Sequence, residues 1–272
     1  MKLKTSKELE EKAKEIRREI IKMLSASGSG HPGGSLSATD IMVALFYHEM
    51  NYNPTEPLWP DRDRFVLSKG HCCPALYAIL ADLGYFPKEK LKTLRKLGSP
   101  LQGHPSYTHL NAVESSTGPL GQGLSVGNGI ALAGKLDKKD FHVYVMLGDG
   151  EMQEGNVWEA MMTSSHYKID NLTAIVDYNN LQIDGKVSEV KGVMPLKDKF
   201  KSFGWEVFEV NGHKMKDILK VLEKARKKKG KPSVVIAKTV KGKGVSFMEN
   251  VVDFHGVTPN EEETKKALKE LE

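Results

Sequence analysis

The apolar positions of the chain fall into short uninterrupted runs separated by stretches of helical period. Phe141–Leu147 and Leu172–Tyr178 are rich in aromatic and β-branched residues without polar alternation, the pattern of buried strands. Between them, Gly155–Tyr167 gathers Val157, Ala160, Met161, Ser164 and Ser165 on one helical face. Strand, helix and strand of this length predict a right-handed βαβ unit of a parallel sheet. Arg64–Ser68, Trp205–Val210 and Pro232–Ala237 predict further strands. Helices are predicted after a capping box at Thr5 to Glu8, then over Ser37–Met50, Pro74–Leu83, Leu124–Leu136, Lys214–Lys229 and Glu261–Glu272. Another helical segment should end near Gly98, and 186–204 should hold a loop and a short helix. This alternation predicts an α/β fold: one domain over 1–272, a doubly wound, mostly parallel sheet with helices on both faces.

Polar clusters close two of these strands. Gly148-Asp149-Gly150 follows the first and Asn179-Asn180 the second, about thirty residues later. Both therefore sit at carboxyl ends of neighbouring strands, the edge at which open α/β sheets bind ligands. A carboxylate from Asp149 and an amide oxygen from Asn179 suit a hard cation such as Mg²⁺, which completes its octahedron with phosphate oxygens and water. Gly148 and Gly150 leave the backbone open to a phosphate, and the helix that follows turns its N-terminus to the same charge. Gly-Asp-Gly alone is a common turn, and Asn-Asn often only stops a strand. Their placement at both ends of a βαβ unit is the specific signal.

Four histidines stand in Gly/Pro-rich loops. His31 lies in Ser25–Gly34, His71 follows a strand in Lys69-Gly-His71, His104 lies in Gln102–Ser106, and His255 follows the glycine loop Lys238–Gly244, expected to be flexible. Alone, His31 reads more readily as an exposed loop residue, His71 as a helix-entry residue bonded to backbone, and His255 as a chance histidine of a surface loop. The stretch Thr117-Gly118-Pro-Leu120-Gly-Gln-Gly123 has the wrong spacing for a dinucleotide fingerprint.

Composition narrows the setting. The chain has 272 residues, 39% hydrophobic and 28% charged, enough for a large soluble core. No apolar run approaches a membrane span and the lysine-rich start has no secretory pattern, so cytoplasm is the expectation. Cys72 and Cys73 are adjacent, which excludes a disulfide framework and suggests buried small residues. The net charge of +5 is mild, and its densest cluster, Arg226–Lys229, reads as a solvated helix end rather than a nucleic-acid surface.

Gly148-Asp149-Gly150 with Asn179 downstream resembles the thiamine diphosphate motif. Gly150-Glu-Met-Gln-Glu-Gly155, Leu181-Gln-Ile-Asp-Gly185, Ser-Gly-His31-Pro-Gly, Lys69-Gly-His71 and Thr-Gly118-Pro-Leu120-Gly-Gln-Gly are together similar to the transketolases. Cys72 after His71, and Phe254 where the family has Trp, are mild departures. The resemblance implies Mg²⁺ (with Ca²⁺ or Mn²⁺ as substitutes) on Asp149, Asn179 and the Leu181 carbonyl. It implies thiamine diphosphate against His71, Gly118, Leu120, Asp149, Gly150, Glu151, Asn179, Ile183 and His255. His31, His71, His104, His255 and Glu154 become the candidate catalytic set, with Glu154 near an activating glutamate of a second polypeptide.

It covers the diphosphate-binding domain only. The expected partner is therefore a separate C-terminal subunit with the pyrimidine-binding domain, in an α2β2 assembly, acting on sugar phosphates of the pentose phosphate pathway. Two rival expectations are another thiamine enzyme, such as a 1-deoxyxylulose-5-phosphate synthase or the alpha chain of a 2-oxo acid dehydrogenase, and a non-catalytic Mg²⁺-diphosphate-binding module.

Overall fold

A computed structural model describes residues 2–272. Its five-stranded sheet is parallel throughout, in the order β1-β2-β3-β7-β6, where β1 is Arg64–Leu67, β2 Val143–Gly148, β3 Leu172–Tyr178, β6 Glu206–Asn211 and β7 Ser233–Lys238. β4 (Leu181–Gln182) and β5 (Gly185–Lys186) form a small antiparallel hairpin that the apolar pattern does not show.

Alternate residues of each strand face two separate cores. Tyr144, Met146, Ile175 and Val235 join α1 (Ser6–Ser27), α2 (Pro32–Ala44), α3 (Cys73–Asp82) and α8 (Met215–Lys227) on one face. Val143, Val145, Leu147, Val176 and Ile236 join α4 (Gly123–Leu136), α5 (Gly155–His166) and α7 (Leu196–Ser202) on the other. Burial on both faces explains why the strands read as continuous apolar runs. The short α6 (Val187–Val190) and the terminal α9 (Glu261–Glu270) complete the element order. Among the described residues no helix is long and apolar enough to cross a membrane.

The β2–α5–β3 unit follows the sequence expectation to within two residues, with Gly148 in register with Asp177. The Thr5 capping box is formed, and both cysteines are free and buried. Other expectations change.

Helix α2 begins at Pro32, with His31 as its N-cap, rather than at Ser37. Gly33 and Gly34 belong to its first turn because no side chain fits there: a Cβ on Gly34 would lie 2.6 Å from Cys72 Sγ, and one on Gly33 2.9 Å from the Phe254 carbonyl. Before Gly98 there is only a 3₁₀ turn, Lys88–Thr93, held down by Leu91. Arg226 is no solvated cation, since it reaches from α8 to the buried Asp63 at 2.7 Å and to Tyr144 Oη at 3.2 Å. The Lys238–Gly244 loop is tied down as well: Gly242 donates to the Gly33 carbonyl at 3.0 Å, and Lys241 is 2% exposed.

Candidate active site

Because the sheet is parallel, every strand releases its following loop at the same edge. β1 delivers Lys69–His71, β2 Gly148–Gly150, β3 Asn179 and β7 Lys241. The N-terminus of α2 brings His31 over that edge. A cleft of about 310 Å³ lies there, and every residue expected to act borders it: His31, His71, His104, Gly118, Leu120, Asp149, Gly150, Glu151, Glu154, Asn179, Leu181, Ile183 and His255.

The four histidines converge. His31 is the hub, its ring centroid 5.2 Å from His71, 6.2 Å from His104 and 5.5 Å from His255, while His71 and His255 stack at 5.3 Å. All four are held neutral. Burial depresses His31 to about 4, aided by Arg95, His104 and Lys241. Burial and then Lys241 take His255 to about 3. His71 is lowered by burial and Lys69, and His104 by burial and Arg95. Neutral imidazoles can each donate at one nitrogen and accept at the other, which suits them to proton transfer.

Asp149 is 2% exposed and its two carboxylate oxygens accept the Gly150 and Asn180 amides. Burial and the neighbouring Asp177 nevertheless raise it to about 6. A buried carboxylate in that condition is short of positive charge, which a divalent cation would supply. Asn179 donates from Nδ2 to Asp177 at 3.4 Å and accepts the Leu181 amide at Oδ1, 3.0 Å, which fixes its amide orientation. The Leu181 carbonyl accepts Lys241 Nζ at 3.1 Å and keeps a second lone pair. Among the described residues there is no cluster of three or more His, Cys, Asp or Glu suited to a metal. The donor set here is one carboxylate with neutral oxygens, so a hard cation would complete its shell from diphosphate and water. The residues present fit both groups.

Glu151 closes the cleft's other wall. Buried, it accepts Gly121 N at 2.9 Å and Gly148 N at 3.0 Å and is bonded by the Ser68 hydroxyl, so it ties the Gly118–Gly123 loop to the end of β2. Burial still raises its pKa despite those donors. Its role here is to hold the walls, with its carboxylate already occupied. Glu154 ends the 3₁₀ turn after β2, and its Cβ lies 2.7 Å from the Cβ position that Gly121 leaves empty, at φ +85°.

Two lysines and an aspartate were not singled out from the sequence. Lys69 pairs with the fully buried Asp177, which also receives the Ser37 and Thr239 hydroxyls. Burial opposes both charges, yet their mutual attraction leaves Lys69 raised and Asp177 lowered. Lys241 Nζ lies 2.7 Å from His255 Nδ1, and burial with Lys69 brings it down to about 8. The signal available in sequence was position alone: Lys69 immediately follows one predicted strand end, and Lys241 lies four residues beyond another.

Comparison with known proteins agrees with this architecture. Residues 9–271 match the family described as transketolase, thiamine diphosphate binding domain. The chain is 43% identical to the 6-deoxy-6-sulfo-D-fructose transketolase subunit SqwG of Clostridium sp. (strain MSTE9), over 97% of this chain and 96% of that protein. It is 41% identical to one subunit of the apulose-4-phosphate transketolase of Phocaeicola vulgatus, over 97% and 93% respectively. The transketolase crystal structure from Campylobacter jejuni superposes with a TM-score of 0.91 at 36% identity, covering 97% of this chain but 43% of that one. The chain thus spans less than half the length of that solved transketolase, and nearly all of the two subunits. By its parallel sheet, its cleft and these matches, the chain belongs to the transketolase family, as its thiamine diphosphate-binding domain.

Proposed function

We propose that the chain is the amino-terminal subunit of a two-subunit transketolase that moves a two-carbon ketol unit from a ketose phosphate to an aldose phosphate, with Mg²⁺ and thiamine diphosphate, in the cytoplasm. The observation that carries this reading is the convergence of four neutral histidines above Asp149, Asn179 and Leu181. Two relatives of matching length are named as transketolase subunits, which supports a separate C-terminal partner bearing the pyrimidine-binding domain. An α2β2 assembly follows from sites shared between polypeptides.

Bound thiamine diphosphate supplies the nucleophilic carbon and the electron sink that cleaving a ketose carbon–carbon bond requires. The chain's residues do the rest. Asp149, Asn179 and the Leu181 carbonyl would hold Mg²⁺, and the Gly150 amide, bonded to Asp149 Oδ1 at 2.8 Å in the structure, would turn from it to the diphosphate. His71 and His255, backed by Lys69 and Lys241, lie on that anion's side. His31 and His104 bond the sugar's carbonyl and hydroxyl oxygens and move protons between them. Gly118, Leu120, Glu151 and Ile183 bound the cofactor, and Glu154 faces the partner.

The test is assembly with a candidate C-terminal partner, followed by assay of xylulose 5-phosphate with ribose 5-phosphate. The named substrates of the two relatives favour a second reading at the level of the donor, so 6-deoxy-6-sulfo-D-fructose and apulose 4-phosphate belong in the same assay. Ketol transfer from at least one donor is expected. An assembled pair inert on all three, beside a working control, would overturn the proposal. Asp149→Ala should abolish transfer in a folded protein, and activity retained at low cofactor concentration would contradict the metal assignment.

A further inference from the structure

Arg95 lies at the rim of the histidine cluster, outside every recognised motif. Its guanidinium reaches three groups: Nη2 to His31 Nδ1 at 3.4 Å, Nη1 to Ser29 Oγ at 3.2 Å, and Nη2 to the Gly103 carbonyl at 3.5 Å. Ser29 precedes His31 by two residues and Gly103 precedes His104 by one. The side chain therefore spans two of the four histidine loops.

Two independent features show that the backbone is shaped for this contact. A Cβ on Gly103 would lie 2.8 Å from Arg95 Cζ, so the guanidinium rests against a glycine because nothing larger fits. Arg95 itself adopts φ +60°, with its amide bonded to the Leu101 carbonyl at 2.9 Å. A non-glycine residue in that left-handed region is strained and persists where its surroundings over-determine it.

Arginine has donors and no acceptor. The nitrogen it meets on His31 must therefore be the unprotonated one, which leaves the proton of the neutral ring on Nε2. That second nitrogen has no hydrogen-bond partner among the described residues, and the ring borders the cleft. His255 repeats the arrangement, with Lys241 Nζ on its Nδ1 at 2.7 Å.

We propose that Arg95 is a positioning residue that locks His31 into the Nε2–H tautomer, aimed as a hydrogen-bond donor into the cleft, while it joins the His31 loop to the His104 loop. The donor meets the substrate oxygen assigned to His31 above, so the catalytic consequence rests on the proposed transketolase reading; the tautomer does not. Facing His31 are His71, His104, His255, Arg95 and Lys241, with Asp149, Glu151, Glu154 and Asp184 the carboxylates bordering the same cleft. Burial and the cations among them keep the ring neutral.

The test reads the proton directly. In the ¹⁵N-histidine-labelled full chain near neutral pH, long-range ¹H–¹⁵N correlation identifies each ring's tautomer, with His31→Asn locating the His31 signals. The wild type should show Nε2–H; Nδ1–H or imidazolium at His31 would overturn the proposal. Arg95→Met, of similar length without a donor, should leave His31 in mixed tautomers, and Arg95→Lys should preserve Nε2–H. An unchanged tautomer in a folded Arg95→Met chain also overturns it. Should Arg95→Met not fold, the wild-type spectrum and Arg95→Lys still decide. In the assembled enzyme, Arg95→Met should lower kcat about tenfold with a smaller change in KM, the scale of one lost hydrogen bond to a charged group, and Arg95→Lys should recover most of it. A shifted tautomer with unchanged kcat would remove the positioning role. An enzyme inert even as wild type would count against the transketolase reading instead, leaving the tautomer result intact.

Discussion

Asp177 carries its charge with no exposed surface, and Lys69 beside it is 2% exposed. Removing one partner of such a pair leaves the other uncompensated, which typically costs about 3–5 kcal/mol. Lys69→Met should therefore lower the urea midpoint sharply, and Lys69→Met with Asp177→Asn should regain much of the loss. A single variant as stable as the wild type would refute the pairing. Neither residue was legible as part of the site. A lysine beside a glycine reads as a solvated loop cation, and an aspartate one residue before a strand's end reads as its polar cap. Their burial comes from α2, which packs down on the strand ends through Gly33 and Gly34, contacts between segments far apart in the chain. The histidines were legible because Gly/Pro loops kept them off regular elements, though their convergence was carried only by family resemblance.

At the scale of elements, strands were read well because parallel strands covered on both faces leave long apolar runs. Helix α2 was misjudged because glycines normally break helices, and here they admit a neighbour. The same logic governs α4. A Cβ on Gly127 would overlap Val145 Cγ2 and sit 3.4 Å from Leu172 Cδ1, against the sheet. Alanine is the better helix former by about 1 kcal/mol, but overpacking of about 1–3 kcal/mol should win. Gly127→Ala is thus expected to lower the melting temperature, and a rise would show that α4 yields freely.

His142, just before β2, offers a cleaner electrostatic test. It is 4% exposed, bonded to Thr173 Oγ1 at 2.8 Å, and burial, with Arg226 and Lys229, depresses it to about 3. The folded ring stays neutral while the unfolded one takes a proton near pH 6.5, so the unfolded state binds more protons between those values. Its contribution to stability is complete above about pH 6.5 and is lost as pH falls toward 3, with a slope of up to about 1.4 kcal/mol per pH unit. Urea titrations across that window should show His142→Gln with a shallower acid limb. Parallel limbs would mean that the ring is protonated in the native state.

Taken whole, the molecule presents its cleft at one end of the sheet, with Ile183, Val190 and Met194 between 44% and 68% exposed in the segment after β3. Exposed apolar side chains in the segment beside the cleft suit a surface that the proposed C-terminal subunit would cover. On assembly with the C-terminal subunit, Met194 should become protected from peroxide oxidation, as read by peptide mass, and unaltered oxidation would place the partner elsewhere. The doubly wound architecture was legible from alternating elements, whereas the β4–β5 hairpin was not, since two-residue strands leave no periodicity.

The buried cysteines give this architecture a clock. Cys72 packs against Gly34 and beside Lys69, behind residues that line the cleft, and Cys73 donates to the Gly103 carbonyl at 3.2 Å behind the His104 loop. Neither thiol can meet an alkylating reagent until these segments lift, and burial raises Cys72 to about 11, which slows the reaction further. Thiol labelling under native conditions therefore times the lifting of the segments behind the cleft wall. Because Mg²⁺ and diphosphate would bind the closed form, their effect on that rate measures site occupancy without turnover, substrate or partner.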